Sequence, residues 1–380
     1  ALLSQLAHVE ACVFNTEGFI PGDEKLNIHS LDVPKGITLW SKAWNFYRRI
    51  VALRRLKQRL GINVTISHLE GADYVNILSG VSKTICWIHG SKRFDENISG
   101  PLGFIRHNIL MPALYRRASH IVTVSKGIAH EIEGYIRGAA VPISTIYNSF
   151  DIRRIEENAS HPVDSDYAQL VASHKVIATH CRLSRQKNLA ALLTLFATVS
   201  HTTPCKLVIV GDGEERSELL DLASTLSLRT WTMWSGERFS NDFDLYFLGY
   251  HANALKFVAR ANLFAMTSLW EGFPLALCEA IIAGVPVISS DCPTGPREIL
   301  RPDLTGPEPV QTPMTSEFGM LMPIVSATNK ESLTIWSRTI VEMFGTNRKA
   351  SVSARLELFR SLDVDLNKAK LMEILKNLSQ

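Results

Sequence analysis

No stretch of about 18 apolar residues free of charge occurs in the sequence, so no membrane-crossing helix is expected. The chain opens Ala-Leu-Leu-Ser-Gln, without the charged start of a secretory signal. No G-x-G-x-x-G follows an early strand, which disfavours a nicotinamide dehydrogenase. Six cysteines, at 12, 86, 181, 205, 278 and 292, share no short paired spacing. Several sit in apolar runs, as in Ala11-Cys12-Val13-Phe14 and Ile85-Cys86-Trp87-Ile88. Buried, reduced thiols in a cytosolic protein fit this better than a disulfide framework or a zinc site. Low-complexity runs are absent, and the only internal recurrence is that of strand–helix units.

At 380 residues the chain exceeds the usual size of one hydrophobic core, so two domains are expected. The apolar share of 46% and charged share of 20% are those of an ordinary soluble globular protein. A net charge of +3 hides an uneven distribution. Residues 1–150 carry 17 Lys and Arg against 11 Asp and Glu, and the remainder 23 against 26. A basic half can attract phosphates or an anionic membrane face.

The chain reads as the end of a helix (Leu2, Leu3, Leu6) running into a strand, His8 to Phe14. Asn15 to Asp32 reads as loop. Trp40 to Leu60 is a helical pattern, apolar at Trp40, Ala43, Trp44, Tyr47, Val51 and Leu60. Its other positions hold Lys42, Arg48, Arg49, Arg54, Arg55, Lys57 and Arg59. A basic face over Arg48 to Arg59 suits an anionic membrane surface. An amphipathic crossover helix whose charges simply meet water accounts for the same pattern. Strands at Val64–His68, Thr84–His89, Ile121–Ser125 and Ser144–Tyr147 then alternate with helices. Asp151 to His174 is polar and reads as an irregular linker. A second series places strands at Val176–Cys181, Lys206–Val210, Leu245–Leu248, Leu263–Thr267 and Val285–Ser289. Alternation of this kind means α/β units and parallel sheets, with ligands beyond the carboxyl ends of the strands. The expected division is 1–160, 161–345 and a helical tail, 346–380, packing back on the first domain.

Three strand-end loops in the second half carry chemistry. Arg182 and Lys187 supply fixed positive charge before a helix and suit a diphosphate. Gly211-Asp212-Gly213 permits close backbone approach, although the same triplet also marks ordinary turns. Leu269 to Leu300 opens with Glu271 and a Gly272-Phe273-Pro274 turn, then enters a helix carrying Glu279. A helix start with Pro in its first turn offers backbone N–H groups to an anion. A carboxylate can accept from two hydroxyls at once, as a vicinal diol requires. Singly, Glu271 could be a helix cap and Glu279 a surface charge; the joint recurrence at one rim favours a site.

These residues, Arg182…Lys187, Val210-Gly211-Asp212-Gly213 and Glu271-x7-Glu279, resemble the family 4 glycosyltransferases, retaining enzymes of the GT-B fold. The segment Ser290 to Glu298 is similar to bacterial members that build surface polysaccharides such as lipopolysaccharide. Leu69-Glu70-Gly71-Ala72, Trp87-Ile88-His89, Val124-Ser125-Lys126-Gly127 and Ile146-Tyr147-Asn148-Ser149 resemble family segments in the expected order.

The resemblance implies two Rossmann-like domains facing across a cleft and closing over the donor. It implies a nucleotide-sugar donor, UDP- more than GDP-linked, with no metal and no other cofactor. Arg182 and Lys187 are implied to hold the diphosphate, Glu271 the transferred sugar, and His89 to lie near the reacting centre. Glu279 is implied to bind ribose, with Gly249 and Tyr250 near the base. Gly211, Gly213, Gly272, Phe273, Leu275 and Ala276 are implied to complete the donor site. The acceptor is expected to be a saccharide or lipid-linked saccharide; one at the inner membrane face fits the basic helix around Arg48 to Arg59, so a cytoplasmic protein attached peripherally to that face, with no role for nucleic acid, is expected.

Two departures accompany the resemblance. A strand and Gly-Gly loop precede, in the family, the helix with which this chain opens, so the first domain is expected to lack its first strand. Arg229 to Asp244, with Trp231 and Trp234, is longer than expected before the next strand. The missing Gly-rich loop motivates one alternative, a non-catalytic nucleotide-sugar-binding or scaffolding protein; a UDP-sugar epimerase of the GT-B fold is a second, a class that lacks the segment Ser290 to Glu298.

Overall fold

The structure is a computed structural model of the chain and describes residues 8–14, 27–94, 100–306, 308–346, 355, 362 and 364–379. The helix expected at the start of the chain, parts of the loop expected over 15–32, and the segment joining 346 to the last helix lie outside the described residues. The chain forms two compact units. One comprises Ala1–Val124, Ile128–Tyr147 and Asp365–Gln380, the other Ser125–Gly127 and Asn148–Val364. Residues 148–160, assigned above to the first domain, thus belong to the second unit.

In the first unit, β1 (Glu10–Val13) pairs in parallel with β2 (Asn27–Ser30). A separate parallel sheet runs β3 (Val64–His68), β4 (Lys83–Ile88), β5 (His120–Thr123), β6 (Ile143–Thr145) in that order. Ile85, Val122 and Ile146 from the sheet form one core cluster with Leu371 and Ile374 of the last helix, Val364–Ser379. β2 lies in the stretch expected as loop.

The helix Leu39–Leu60 starts on a reciprocal capping box between Thr38 and Ser41 and stops at Gly61 in the left-handed region. Its burial inverts the expectation from periodicity. Trp40 (88% exposed), Trp44 (61%) and Tyr47 (56%) face solvent, whereas Lys57 is buried at 1%. The Lys57 ammonium donates to Asn76 Oδ1 (2.7 Å) and to the carbonyls of Asn76 and Gly80, at the end of the helix Glu70–Ser79. A cation is stabilised among the unpaired carbonyls of a helix C-terminus. Burial nevertheless pulls its pKa down to about 8. Arg49 is also tied inward, to the carbonyls of Val33 and Pro34. The basic stripe expected over Arg48 to Arg59 is therefore reduced to Arg48, Arg54, Arg55 and Arg59, preceded by exposed aromatics.

In the second unit the strands are β7 (Lys175–His180), β8 (Cys205–Val210), β9 (Thr230–Thr232), β10 (Leu245–Gly249), β11 (Leu263–Met266), β12 (Val287–Ser290), β13 (Met314–Thr315) and β14 (Gly319–Met322). They form one sheet, ordered β13-β14-β12-β11-β7-β8-β10-β9, parallel except for the β13–β14 pair. Every residue of β8, β10, β11 and β12 is buried, as helices on both faces of a parallel sheet require. The apolar helix Leu189–Thr202 covers one face, with Phe196, Leu192 and Trp336 among the buried side chains. The stretch expected as an irregular linker is instead two helices, Ile152–Ser160 and Ser165–Ser173, the first capped by the Asp151 carboxylate. Within the long segment before β10, residues Thr230–Thr232 add an edge strand, and the Trp231 ring packs on Phe239.

All six cysteines are free, and Cys12 is exposed rather than buried. No helix among the described residues is long and apolar enough to cross a membrane.

Candidate functional site

Parallel strands β7, β8, β10, β11 and β12 bring their following loops to one edge of the second unit. The loop after β7 contains a tight turn, Arg185–Lys187, closed by Asn188 in the left-handed region. Asn188 Nδ2 donates to the carbonyls of Thr267 and Val325, which pins this loop to the end of β11. Gln186 reinforces the join by donating to the Trp270 carbonyl at 2.8 Å.

The pinning sets Lys187 Nζ 2.7 Å from Glu271 Oε1. Ser268 Oγ donates to the same oxygen at 2.7 Å, and Gln186 Nε2 lies 3.3 Å from Oε2. Glu271 is 5% exposed, and its N–H donates to the Pro293 carbonyl. Thr294 Oγ1 donates to the carbonyls of Glu271 and Gly272, fixing the other side of the turn. Glu271 is thus no helix cap; it is the counter-ion of Lys187. Burial would depress the lysine's pKa, but the Glu271 charge and hydrogen bond outweigh it and raise the value.

Arg182 stands apart from this pair. Its side chain is 73% exposed and donates through Nε to Glu214 Oε2 at 2.8 Å. Gly211 (φ +148°) lies so close to the loop after β7 that a Cβ would come 1.8 Å from the Cys181 carbonyl oxygen. A Cβ on Gly213 would similarly meet the Leu183 backbone. Two backbone bonds, both donated by the loop after β7, run from Cys181 N to the Val210 carbonyl and from Leu183 N to the Asp212 carbonyl. The close approach these glycines permit is therefore loop against loop, and it sets where Arg182 emerges.

The helix Leu275–Ile282 begins after Pro274 with no side-chain cap on its first-turn N–H groups. Phe273 is buried, with Phe150 a ring neighbour at 6.5 Å, whereas Leu275 is half exposed and Ala276 partly buried. Gly272 is also buried. One turn on, Glu279 is no free surface charge. Its side chain is 28% exposed, and Oε2 lies 3.3 Å from Nε2 of His180, the last residue of β7. Burial pushes Glu279 up to about 7 and His180 down to about 4. Gly249 ends β10 at φ +71°, and Tyr250 beyond it is 77% exposed.

His89 belongs to the first unit, directly after β4. Its Nε2 lies 2.7 Å from His68 Nδ1, and its ring stacks on Trp87. Burial, followed by the nearby His68 and Lys92, takes its pKa to about 4. At neutral pH it is an uncharged ring. Sequence reasoning missed His180, Ser268, Gln186 and Glu214. Only His180 carried a usable signal, a polar residue closing an otherwise buried strand.

Two family models cover most of the chain. Residues 3–154 match Glycosyltransferase Family 4, and residues 168–307 match Glycosyl transferases group 1. The chain belongs to the family 4 glycosyltransferases. An uncharacterised glycosyltransferase of Methanocaldococcus jannaschii is 27% identical over 284 residues, 72% of this chain and 66% of the relative. The N-acetylgalactosamine-N,N'-diacetylbacillosaminyl-diphospho-undecaprenol 4-alpha-N-acetylgalactosaminyltransferase of Campylobacter jejuni is 25% identical over 298 residues, 76% of this chain and 70% of the relative. These alignments span about two thirds of each relative's length. Among solved structures, HepE of Anabaena in complex with UDP superposes with a TM-score of 0.64 at 19% identity, over 93% of this chain and 86% of that one. This glycosyltransferase has the GT-B fold, with Rossmann-like α/β units.

Proposed function

We propose that the protein is a retaining, metal-independent hexosyltransferase that moves a sugar from a nucleotide-sugar donor to a saccharide or lipid-linked saccharide. The observation that carries the reading is the buried Lys187–Glu271 pair at the strand-end rim, with Glu279 on the helix that follows Glu271. A lysine held beside a carboxylate, with Arg182 earlier on the same loop, provides two fixed cations for a diphosphate leaving group. Positive charge placed where negative charge develops is a large term in such catalysis. In this scheme Lys187 and Arg182 hold the diphosphate. The N–H groups at Phe273, Leu275 and Ala276 supplement them.

Glu271 accepts from hydroxyls of the transferred sugar, and Glu279 from the ribose. Gly211, Gly213 and Gly272 shape the backbone around them, and Gly249 and Tyr250 flank the base. His89, neutral at pH 7, serves as a hydroxyl ligand on the acceptor-side unit. Retention follows from attack on the face the diphosphate leaves, with a leaving phosphate oxygen taking the acceptor proton. No protein base is assigned.

UDP is the favoured nucleotide, since HepE is seen in complex with it. The Campylobacter relative is named for transfer to a diphospho-undecaprenol-linked saccharide acceptor. That acceptor chemistry agrees with an anionic membrane surface as a partner. Exposed Trp40, Trp44 and Tyr47 followed by Arg48, Arg54, Arg55 and Arg59 place aromatic anchors and cations along one helix. A cytoplasmic protein lying peripherally on the inner membrane face is the corresponding location. A panel of UDP- and GDP-sugars in a thermal-shift assay tests the donor assignment, since a ligand that binds the folded state raises the melting point. Stabilisation by a UDP-sugar is expected, and the absence of any shift across the panel contradicts the reading.

A further inference from the structure

The proposed scheme leaves His180 of the second unit unused. His180 closes β7 with a side chain only 14% exposed, and its Nε2, shut off from bulk water, meets full hydrogen-bond geometry with no neighbour, although the Ala276 backbone lies close to the ring. Glu279 Oε2 stands 3.3 Å from that atom, close enough in distance, yet the two do not meet hydrogen-bond geometry. A histidine retained only for packing would be expected to have this nitrogen satisfied, because unpaired buried polar atoms are costly and uncommon. The ring is braced by Phe264, whose ring centroid lies 5.7 Å away. With Thr179, Lys187, Ser268 and Ala276, it lines a cavity of about 10 Å³, room for roughly one water.

Chemistry supplies the use. A neutral imidazole carries one N–H and one lone pair, and a carboxylate offers about four acceptor positions on its two oxygens. Two vicinal hydroxyls occupy one position on each oxygen. They also dictate the carboxylate plane, which one further donor on Oε2 can lock.

We propose that His180 is a positioning residue for ribose recognition: its Nε2–H donates to Glu279 Oε2 as the two ribose hydroxyls engage that carboxylate, so the ligand completes a hydrogen bond that the protein alone leaves unmade. The proposal rests on the donor-site reading, in which Glu279 meets the ribose. It deepens that reading by making affinity for the ribose diol, rather than for the base or phosphates, depend on His180.

The test is calorimetric titration of UDP and 2′,3′-dideoxy-UDP into the wild-type chain, His180→Leu and His180→Asn. The expected result is about a tenfold weaker Kd for UDP in His180→Leu, the size of one hydrogen bond to a charged group. The same substitution should change the Kd for 2′,3′-dideoxy-UDP less than about twofold. His180→Asn, whose amide can donate from a similar place, should recover most of the loss. It also keeps the question open to measurement if His180→Leu folds poorly. Equal weakening for both nucleotides, or no weakening for UDP, overturns the proposal while leaving the donor site intact. A wild-type chain that does not bind UDP removes the UDP donor-site reading and this inference together.

Discussion

Lys187 Nζ sits 2.7 Å from Glu271 Oε1 in the second unit, with both side chains largely withdrawn from water. The lysine is thus paired within the fold before any phosphate reaches it. Truncating it strands a buried carboxylate, so Lys187→Ala should cost about 3 kcal/mol of folding stability. A urea denaturation midpoint measures this, and an unchanged midpoint would show the pair to be energetically idle. Glu271→Gln keeps hydrogen-bonding capacity at the site and should cost less.

Arg182 makes the opposite pairing of effects. Its partner Glu214 is itself half exposed, and exposed ion pairs contribute little. Arg182→Ala should leave the urea midpoint within about 0.5 kcal/mol of wild type. Its transfer rate should nevertheless fall about 100-fold or more, since a charge facing the leaving group is lost. Steady-state kinetics on a variant of normal stability separates the two effects. Unchanged turnover removes Arg182 from the mechanism.

Glu279 gives donor binding a pH dependence. Its folded-state value of about 7 exceeds the usual carboxylate value of 4.5, burial being the cause. Accepting two hydroxyls requires the ionised form, so UDP affinity should rise with pH up to about 7 and level off above it. Below 7 it should weaken by up to about tenfold per pH unit. The facing His180 is already neutral above about pH 4 and does not titrate in this window. The sign for folding is the reverse. A carboxylate whose pKa is raised on folding favours the folded state most below 4.5, and that contribution is lost as pH rises through 7. Calorimetry across pH 5.5 to 8.5 checks the binding limb.

Gly211 carries a stability prediction free of any ligand. At φ +148°, with the Cys181 carbonyl where a Cβ would stand, Gly211→Ala must displace the loop that carries Arg182. A loss of about 2–4 kcal/mol in chemical denaturation is expected. A shift below 0.5 kcal/mol would mean that the two loops separate easily.

The exposed aromatics predict membrane behaviour. Vesicles containing anionic lipid should bind the protein at low salt and release it as ionic strength screens the arginines. Serine at Trp40 and Trp44 together should abolish binding without affecting nucleotide affinity. Retention of vesicle binding by that double variant would assign the contact elsewhere.

Much of this architecture was legible beforehand because parallel strands buried on both faces print continuous apolar runs. Lys206–Val210 and Leu245–Leu248 could be read almost to the residue. Thr230–Thr232 and Met314–Thr315 could not, being two- and three-residue edge strands inside polar or Pro-rich segments. The helix Leu39–Leu60 misled for a physical reason. Apolar periodicity reports a stripe but not which side of it meets the core, and here Lys57 is inside while Trp40 and Trp44 are outside. At the site, the residue types at Lys187, Glu271 and Glu279 followed from spacing and resemblance. The pairings did not, because Glu271 meeting Lys187, Arg182 meeting Glu214 and Glu279 meeting His180 are set by how three loops dock.

The most direct test of the account is the equilibrium binding of UDP to the wild-type chain and to Lys187→Ala, measured side by side by calorimetry on protein shown to be folded. The account predicts saturable binding by the wild type and at least about tenfold weaker binding by the variant, the loss of a charge-assisted contact. No UDP binding by the wild type, or equal affinity in the two proteins, would contradict it.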